Sequence, residues 1–527
     1  MPSPPSRRTS RPAPLLALVA SLLAALPALA VPPPPAARAD RFGVYHWGAD
    51  YSAWPGTPDR LNWGAEKAAA LGSRTLRVFL GANEFYRVNP ADNPRDDGFL
   101  RRVAESPAYA RLFADPRFRT YLVTVYPPAA FAVWRDGFDA AEAASEREQV
   151  ARLGAALLRN PAHAGKSFVL LNWEGDHGTG TLPPGDPRWD AFAAWVQARA
   201  DGVRDARTRA PGSSARLFSG LEFNLVDAWS EAEGRMVRCG EAGTRCVVDE
   251  VAPRVDVDYY SYSAWQSLNV KLADPNADLR QRLGEDLAFA LAAVRTRRPE
   301  VGPASFILGE LGFARSLYGE CAAARHLEEA LAAAEAAGVS YAVVWQALDN
   351  RWRVEDGAER TLTDCEAPEW LLYGLHGGSD GRRTLLGTAF AAFLRGARPA
   401  FPARCPQIAA RGVLNPEARW TARFAPGSPL AVFGSGFSQR GNRVHVLQAD
   451  VIGDDVPDPN VRLTLASAAT TAASGAGSPQ RLDARLPAGV LHDGCALVWV
   501  TTAAGLDSNA RLVAVRAPSP PRPERSD

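Results

Sequence analysis

The stretch Ser167-Phe168-Val169-Leu170-Leu171-Asn172-Trp173 is a nearly continuous apolar run with a polar and an aromatic residue at its end. Such a run is typical of a β-strand that is buried on both faces in a parallel sheet. The Ala-rich segment Trp189–Arg207 follows and indicates a helix, and a second apolar run comes at Leu217–Asn224. This succession predicts a strand–helix–strand unit with parallel strands.

The same alternation repeats from Arg41 to about Gly396. Eight runs predict strands, at Phe42–Trp47, Thr75–Leu80, Tyr121–Tyr126, Ser167–Trp173, Leu217–Asn224, Val255–Ser263, Ser305–Glu310 and Tyr341–Ala347. Five segments between them predict helices, at Trp63–Leu71, Arg147–Leu158, Trp189–Arg207, Asp278–Arg295 and Cys321–Ala337. Eight strands that alternate with helices favour an α/β fold, a (β/α)8 TIM barrel over 41–398. The alternative is an open doubly wound sheet, but its Gly-rich turn after the first strand is absent.

A different composition begins near Pro399. Short alternating runs predict the strands of a small all-β sandwich, at Leu430–Phe433, Arg443–Gln448, Val461–Ala466, Arg481–Leu486 and Ala496–Thr501. The apolar strand that leads into Gly434-Ser435-Gly436-Phe437 resembles the opening of the IPT/TIG branch of immunoglobulin-like domains. The resemblance implies an immunoglobulin-like domain over 399–516, and a Pro-rich composition predicts a disordered tail over 517–527.

The N-terminus has the pattern of a secretory signal. Arg7, Arg8 and Arg11 precede an apolar run over 15–26, and Ala28-Leu29-Ala30 is a small-x-small cleavage pattern. We expect a signal peptide over 1–30 with cleavage after Ala30, a Pro-rich spacer over 31–40, and a secreted or periplasmic protein. An uncleaved membrane anchor is the alternative, but the run is short for a span of ~20 residues. After cleavage we expect no stable membrane insertion.

Composition and charge exclude several classes of protein. The 527 residues include 59 Lys and Arg and 58 Asp and Glu, so the net charge of +1 favours no nucleic-acid partner. A hydrophobic content of 46% excludes wholesale disorder. The sequence contains no Walker-type loop, zinc-binding helix, EF-hand or Gly-x-Ser-x-Gly elbow, and it implies neither a cofactor nor a metal.

The six cysteines fit an oxidising compartment. Cys239 and Cys246 lie in one loop and are expected to close a small ring. Cys321 with Cys365 and Cys405 with Cys495 are the remaining natural pairs, although six cysteines allow 15 connectivities.

Functional side chains concentrate at the ends of three predicted strands. Strand four ends in Asn172-Trp173-Glu174-Gly175-Asp176-His177, strand seven in Gly309-Glu310-Leu311-Gly312, and strand eight in Val344-Trp345-Gln346. The C-terminal ends of the strands form the active-site face of such a barrel. Two carboxyl groups that face each other there suit cleavage of a glycosidic bond, with one protonated and the other ionised.

These residues resemble those of clan A, the retaining glycoside hydrolases built on (β/α)8 barrels. The resemblance implies that Glu174 after strand four is the general acid/base and that Glu310 after strand seven is the nucleophile. It also implies that Trp345 on strand eight floors the sugar site. The chain departs from the clan pattern at one point, because Trp173 separates Asn172 from Glu174. We therefore expect either a bulged strand end or a changed environment of the acid.

Further residues at the strand ends are candidates for substrate binding: Trp47, Asp50, Arg77, Asn172, Trp173, Asp176, Tyr262, Trp265 and Trp345. Several have alternative roles. Asp176 and Glu222 compete with Glu174 as the acid, and Trp47 could cap the core. Tyr262 could hydrogen-bond the nucleophile or simply pack, and Arg77 could hold the nucleophile ionised or form a structural ion pair.

The leading hypothesis from the sequence is a secreted retaining glycoside hydrolase that acts on a poly- or oligosaccharide. The loops over 81–98 and 226–253 would shape an elongated cleft, which favours a polysaccharide. One alternative is a non-catalytic carbohydrate-binding or cell-surface protein on the same barrel. Another is an adhesive protein in which the C-terminal sandwich acts.

Overall fold

The computed structural model describes most of the chain, and the fold and the site are built from the residues that it describes. The described ranges are 33–47, 59–81, 97–126, 133–180, 182–349, 374–376, 381–399, 401, 405–414, 416, 423–425, 427–448, 461–466, 470–472, 480–488, 491 and 494–515. The predicted signal peptide and tail lie outside them, as do Asp50, Asn350 and most of the loop predicted over 81–98.

Eight parallel strands close into a barrel. They are β1 Phe42–His46, β2 Thr75–Gly81, β3 Thr120–Tyr126, β4 Ser167–Leu171, β5 Arg216–Phe223, β6 Tyr259–Ser263, β7 Phe306–Leu311 and β8 Tyr341–Trp345. Each strand pairs with its neighbours in sequence, and β8 pairs with β1 to close the barrel. The predicted fold class is confirmed.

Three boundaries of the barrel strands differ from the prediction by two residues or more, and one of them is the end of β8, at Trp345 rather than Ala347. β4 ends at Leu171, two residues early, because the chain turns at Asn172 towards the barrel mouth. β6 begins only at Tyr259, because Ala252–Arg254 form a 3-10 turn before it. Apolar patterning locates a strand more reliably than its end.

Helices surround the barrel. Their bounds are Arg38–Arg41, Arg60–Ala70, Phe99–Glu105, Pro107–Ala114, Ala140–Arg159, Gly175–Thr179, Pro187–Arg209, Val247–Glu250, Trp265–Leu268, Val270–Ala273, Leu279–Arg295, Arg315–Tyr318, Glu320–Ala336 and Leu385–Leu394. Local chemistry sets some starts: Asp139 and Glu142 form a reciprocal capping box, and Pro187 follows the capping Asp186. No helix in the described ranges combines the length and the apolar character that crossing a bilayer needs.

The alternation of side chains along the strands produces two apolar layers. One set fills the barrel interior, and its members include Tyr45, Val169, Ile307 and Val343. The other set faces the helices and forms the larger core. The barrel interior is therefore filled by side chains, and a site that a ligand can reach can form only at the ends of the barrel.

The C-terminal part forms two small sheets. In one, the order is Gln407–Leu414, Pro429–Ser435, Gln480–Arg485 and Thr471–Ala472. In the other, the order is Arg423–Phe424, Arg511–Val515, Gly494–Thr501, Arg443–Gln448 and Val461–Ala466. All pairings are antiparallel except that of Arg423–Phe424 with Arg511–Val515. Their inner faces share one apolar cluster. The IPT/TIG relationship stays a prediction.

A disulfide joins the two parts of the chain. Cys321, in the helix Glu320–Ala336, bonds Cys405 just before the first strand of the C-terminal sheets, so the predicted pairs Cys321–Cys365 and Cys405–Cys495 are wrong. The predicted pair Cys239–Cys246 is confirmed. The prediction paired cysteines that follow one another in the sequence, whereas the fold places Cys405 against the barrel helix that follows β7.

Hydrogen bonds support the same junction. The amide of Ala510 donates to Ser316 O at 2.6 Å, and Gln407 Nε2 donates to Tyr318 O at 2.7 Å. Leu317 packs against Leu497 and Ala510 of the sheets. The C-terminal part is thus docked on the short helix Arg315–Tyr318, which begins four residues after β7 ends.

We predict that non-reducing peptide mapping recovers a peptide pair that joins Cys321 to Cys405. Replacing both by Ser should lower the free energy of unfolding by about 2–5 kcal/mol, because the bond closes a long loop in the unfolded chain. Urea denaturation measures the loss. The matched control, Cys239→Ser with Cys246→Ser, opens a ring with a sequence separation of only 7 and should cost less. A recovered Cys321–Cys365 pair would contradict the assignment.

Candidate active site

A β-bulge turns Glu310 into the barrel mouth. Along β7 the register to β6 steps from Leu308 to Glu310 while β6 advances by one residue, and the pairing to β8 shifts at the same place. The extra residue is Gly309, and its Cβ would collide with Glu222 Oε2 and Ser261 Oγ if it had one. The bulge re-aims the glutamate, as bulges beside functional sites commonly do.

Glu174 reaches the same mouth through an unusual backbone conformation. Its φ is +23°, in a region that residues with a side chain rarely adopt. The residue caps the short helix Gly175–Thr179, and its amide donates to Glu222 Oε1 at 3.2 Å. The insertion of Trp173 before the acid, the one departure from the clan pattern, thus coincides with a strained turn.

The centre of the site is an ion pair between Arg77 and Glu222. Both side chains are fully buried, and the guanidinium contacts the two carboxylate oxygens at 2.6 and 2.7 Å. Arg77 also donates to Thr124 and lies over the ring of Tyr45 at 4.3 Å. The structural partner of Arg77 is therefore Glu222, while Glu310 Oε1 lies 3.6 Å from the same guanidinium.

Each of the two glutamates accepts a hydrogen bond from β6 or from the short helix Trp265–Leu268 that follows it. Ser263 Oγ donates to Glu174 Oε1 at 2.5 Å, and Ser263 is paired in register with Glu310. Trp265 Nε1 donates to Glu310 Oε2 at 3.2 Å. Both carboxyl groups are about 3% exposed, so they share one buried environment at the mouth.

Burial, followed by the charge of Glu174, raises the pKa of Glu310 well above its usual range. Arg77 and the Trp265 hydrogen bond oppose this rise. Burial also raises the pKa of Glu222, against the effect of Arg77. Because neighbouring buried carboxyl groups do not ionise together readily, the site favours a state that retains a proton.

His177 is a further member of the site. Its Nε2 lies 2.7 Å from Glu174 Oε2, and its ring stacks on Trp173 with centroids 5.2 Å apart and an interplanar angle of 11°. The hydrogen bond to Glu174 raises the pKa of His177. Its side chain is 58% exposed, so it connects the buried acid with solvent.

Four tryptophans line the mouth. Trp47 contacts Trp345 at 5.6 Å and Trp173 at 6.2 Å between ring centroids, and Trp345 contacts Trp265 at 6.5 Å. All four are half-buried. Trp345 ends β8 immediately before a cis peptide bond. Half-buried aromatic rings beside carboxyl groups suit the apolar faces of a sugar.

A cavity of about 80 Å³ lies on the outer side of the Trp173–His177 stack. Tyr126, Trp134 and Phe192 provide much of its aromatic lining. Because about 10–15 Å³ suffices for one water, the cavity is large enough to hold water beside His177.

Three predicted site residues have structural roles instead. The expectation that Tyr262 bonds the nucleophile is corrected: its hydroxyl bonds Ser267, because Ser261 and Ser263 occupy the inward positions of β6 and Tyr262 faces the helices. Asp176 accepts three backbone amides, those of Asn224, Leu225 and Val247. It anchors the loop after β5 and is not free to act as an acid.

Asn172 is likewise occupied. Its amide group exchanges two hydrogen bonds with the backbone of Glu222, at 2.7 and 2.8 Å, and extends the β4–β5 ladder by one rung. Asp349 pairs with Arg315 and accepts the amide of Gly374. His46 is buried against the helix Arg60–Ala70. None of these three side chains points to an open substrate site.

The sequence reasoning missed two site residues, Ser263 and His177. Ser263 could be predicted as a site residue only if the register of β6 were known, because the alternation of side chains along the strand then places it inside the barrel. His177 follows Glu174 by three residues, the spacing at which side chains meet on a helix, and this signal was available. A short helix at that point was not predicted.

Glu174 follows β4 and Glu310 is the last residue but one of β7, so both belong to the C-terminal ends of barrel strands. No protein-family description matches the chain, and no curated protein sequence matches it. Several solved structures have a similar fold.

A GH5_18 structure from Bifidobacterium longum subsp. infantis is 15% identical, covers 70% of this chain and 81% of its own, and has a TM-score of 0.45. The exo-beta-1,4-mannosidase Op5Man5 from Opitutaceae bacterium strain TAV5 is 18% identical over 68% of this chain and 59% of its own, at 0.41. A family 1 β-glucosidase from Thermotoga maritima is 14% identical over 69% and 99%, at 0.43. At these identities and scores the matches carry no argument about activity, which has to come from the site.

We predict that Arg77→Met lowers the free energy of unfolding by about 3–5 kcal/mol, because it leaves the Glu222 carboxylate buried without its partner. Urea denaturation measures the loss. Arg117→Ala removes an exposed ion pair with Asp115 and, as the matched control, should cost less than ~1 kcal/mol. Adding Glu222→Gln to Arg77→Met should recover part of the loss, and no recovery would argue against a charge effect.

We also predict that Glu174→Gln lowers the pKa of His177, which histidine ring NMR measures during a pH titration. A raised folded-state pKa means that the Glu174–His177 contact stabilises the fold fully below the unfolded value of about 6.5 and is lost as pH rises through the folded value. His326 is the internal control, since burial lowers its pKa to about 4. An unchanged titration of His177 would show that the contact is absent in solution.

Proposed function

We propose that the protein is a glycoside hydrolase of the retaining type. The observation that supports this most is the pair of buried carboxyl groups, Glu174 and Glu310, that converge at one rim of the barrel through Ser263 and Trp265. A site with two carboxyl groups and one retained proton has the components of a double displacement.

In the proposed reaction Glu310 attacks the anomeric carbon while Glu174 gives its proton to the departing oxygen. The carbon–oxygen bond to the leaving group breaks as the bond to Glu310 forms. Glu174 then removes a proton from water, which attacks the same carbon and releases Glu310. Trp265 Nε1 and Arg77 lie on the side of Glu310 and favour its ionised form.

The proton has to be on Glu174 when Glu310 attacks. Burial and the Glu174 charge favour a protonated Glu310, so the proposed cycle needs the proton to move to Glu174 when the substrate binds. His177 and Ser263 hold both oxygens of Glu174, and we propose that they orient its carboxyl group towards the leaving oxygen.

For the substrate we propose a poly- or oligosaccharide. The tryptophans Trp47, Trp173, Trp265 and Trp345 offer aromatic faces around the carboxyl groups, which support a sugar ring better than a charged ligand. We further propose that the protein is secreted, with the signal peptide over 1–30 removed, which accords with the two disulfides among the described residues. The C-terminal sheets are proposed to be an IPT/TIG-like domain.

We predict that Glu310→Gln abolishes turnover of every substrate, whereas Glu174→Gln depends on the leaving group. With polysaccharide, Glu174→Gln should lose about 10²–10⁴-fold in kcat, because the departing oxygen needs a proton. With an aryl glycoside whose phenolate leaves unassisted, it should release a burst of phenol and then stall. Added azide should restore turnover and yield a glycosyl azide of retained configuration, because azide needs no general base.

A screen of bacterial and plant polysaccharides and of aryl glycosides supplies the substrates for this test. Glu66→Gln, at an exposed helix position, is the matched control and should leave turnover and the far-UV spectrum unchanged. If Glu310→Gln gives the burst and Glu174→Gln is inactive, the two roles are exchanged. If both variants hydrolyse normally, or if the wild type hydrolyses nothing and only binds glycan, the proposed activity is wrong.

A further inference from the structure

A β-hairpin in the loop after β5 presents an apolar pair to solvent. Its strands, Asp227–Ser230 and Arg235–Arg238, place Trp229 directly opposite Met236. Trp229 is 53% exposed and Met236 is 49% exposed, while their neighbours Ala228 and Val237 are buried. The hairpin therefore turns its small residues inward and its large apolar residues outward, the reverse of a surface element that only packs.

The hairpin is held rigidly at its base. Asp227 pairs with Arg238 at 3.1 Å and with Arg282 of the helix Leu279–Arg295. The disulfide between Cys239 and Cys246 closes the chain immediately after the second strand. The exposed pair is therefore presented by a fixed element, so a ligand would not have to order it on binding.

The base of the hairpin is linked to the segment that carries Trp265. Gln266 Oε1 accepts the amides of Val226 and Asp227 at 2.8 and 3.1 Å, and its Nε2 donates to Asp227 O. Gln266 follows Trp265, which donates to Glu310. Trp229 is two residues beyond Asp227, or about 7 Å along a strand. The exposed ring therefore lies on an element whose base is hydrogen-bonded to the residue next to Trp265.

The surroundings of the ring favour a neutral, polyhydroxylated ligand. Glu231, Glu233 and Arg235 lie at the tip of the hairpin and are exposed, and Arg235 is paired with Glu233 at 3.4 Å. Charges of both signs offer hydrogen bonds to hydroxyls, whereas they disfavour insertion into lipid. A sugar ring combines an apolar face for the indole with hydroxyls at its edge.

We propose that the Trp229–Met236 face is a remote binding platform for a polysaccharide chain that extends beyond the bond being cleaved. The proposal rests on the proposed glycosidase function and adds that the substrate is polymeric. Trp229 makes the stacking contact, and Met236 supports the ring from the opposite strand. Short substrates end before the hairpin and do not use it.

The test compares the hydrolysable polysaccharide with a short aryl glycoside of the same sugar. Trp229→Ala should lower kcat/KM for the polymer by about two- to tenfold, the factor that ~0.5–1.5 kcal/mol of aromatic contact represents, and should change the short substrate less than twofold. Trp229→Phe keeps a ring and should recover part of the loss. Leu272→Ala removes another exposed apolar side chain, 48% exposed and outside the hairpin, and should change neither substrate.

Affinity electrophoresis of Glu310→Gln in gels that contain the polysaccharide measures binding without turnover. Migration should be retarded with Trp229 present and less retarded after Trp229→Ala. An equal loss on both substrates would overturn the proposal in favour of a role in shaping the site, and no loss on the polymer would overturn it outright. Loss of binding to phosphatidylcholine vesicles alone would assign the face to lipid. A wild type that hydrolyses nothing but is retarded through Trp229 would refute the glycosidase and keep the platform.

Discussion

The positions of Gly309, Asn172 and Glu174 depend on one interaction, the buried bidentate ion pair between Arg77 and Glu222. Gly309 has no side chain because the pair takes its space, and Asn172 fixes the backbone of Glu222 to the end of β4. The amide of Glu174 also donates to Glu222. The pair therefore sets the positions from which the two proposed catalytic carboxyl groups project.

A buried charge network of this kind is poor at stabilising a fold, because the desolvation of its ions offsets their attraction. Among the described residues, the permanent cation Arg77 pairs with Glu222 and lies 3.6 Å from Glu310, while Glu174 contacts the titratable His177. The negative charge exceeds the fixed positive charge, which retains a proton in the site. The same imbalance that weakens the fold locally retains the proton that the proposed acid-assisted bond cleavage requires.

Periodicity and composition predicted the barrel because buried parallel strands leave a strong apolar signal. The position of Glu174 and Glu310 at one rim could be predicted because the C-terminal ends of all strands in a barrel meet at one face. The resemblance added the roles proposed for the two residues. The inward turn of Glu310 could not be predicted, because it depends on a bulge that involves neighbours on both β6 and β8. Tyr262 and Ser263 show the same limit: one step of register decides which faces the site. The disulfide between Cys321 and Cys405 depends on a tertiary contact, and the spacing of cysteines along the chain does not predict such a contact.

The docking of the C-terminal sheets on the helix Arg315–Tyr318 has a consequence for how the chain can be divided. Cys321, Leu317 and the carbonyl of Ser316 belong to the barrel, yet each is completed by a group beyond residue 400. A barrel produced alone would carry an unpaired thiol beside newly uncovered apolar surface, on the segment that immediately follows the proposed nucleophile strand. The boundary between the two folds therefore crosses a covalent bond and a packed surface that both parts share.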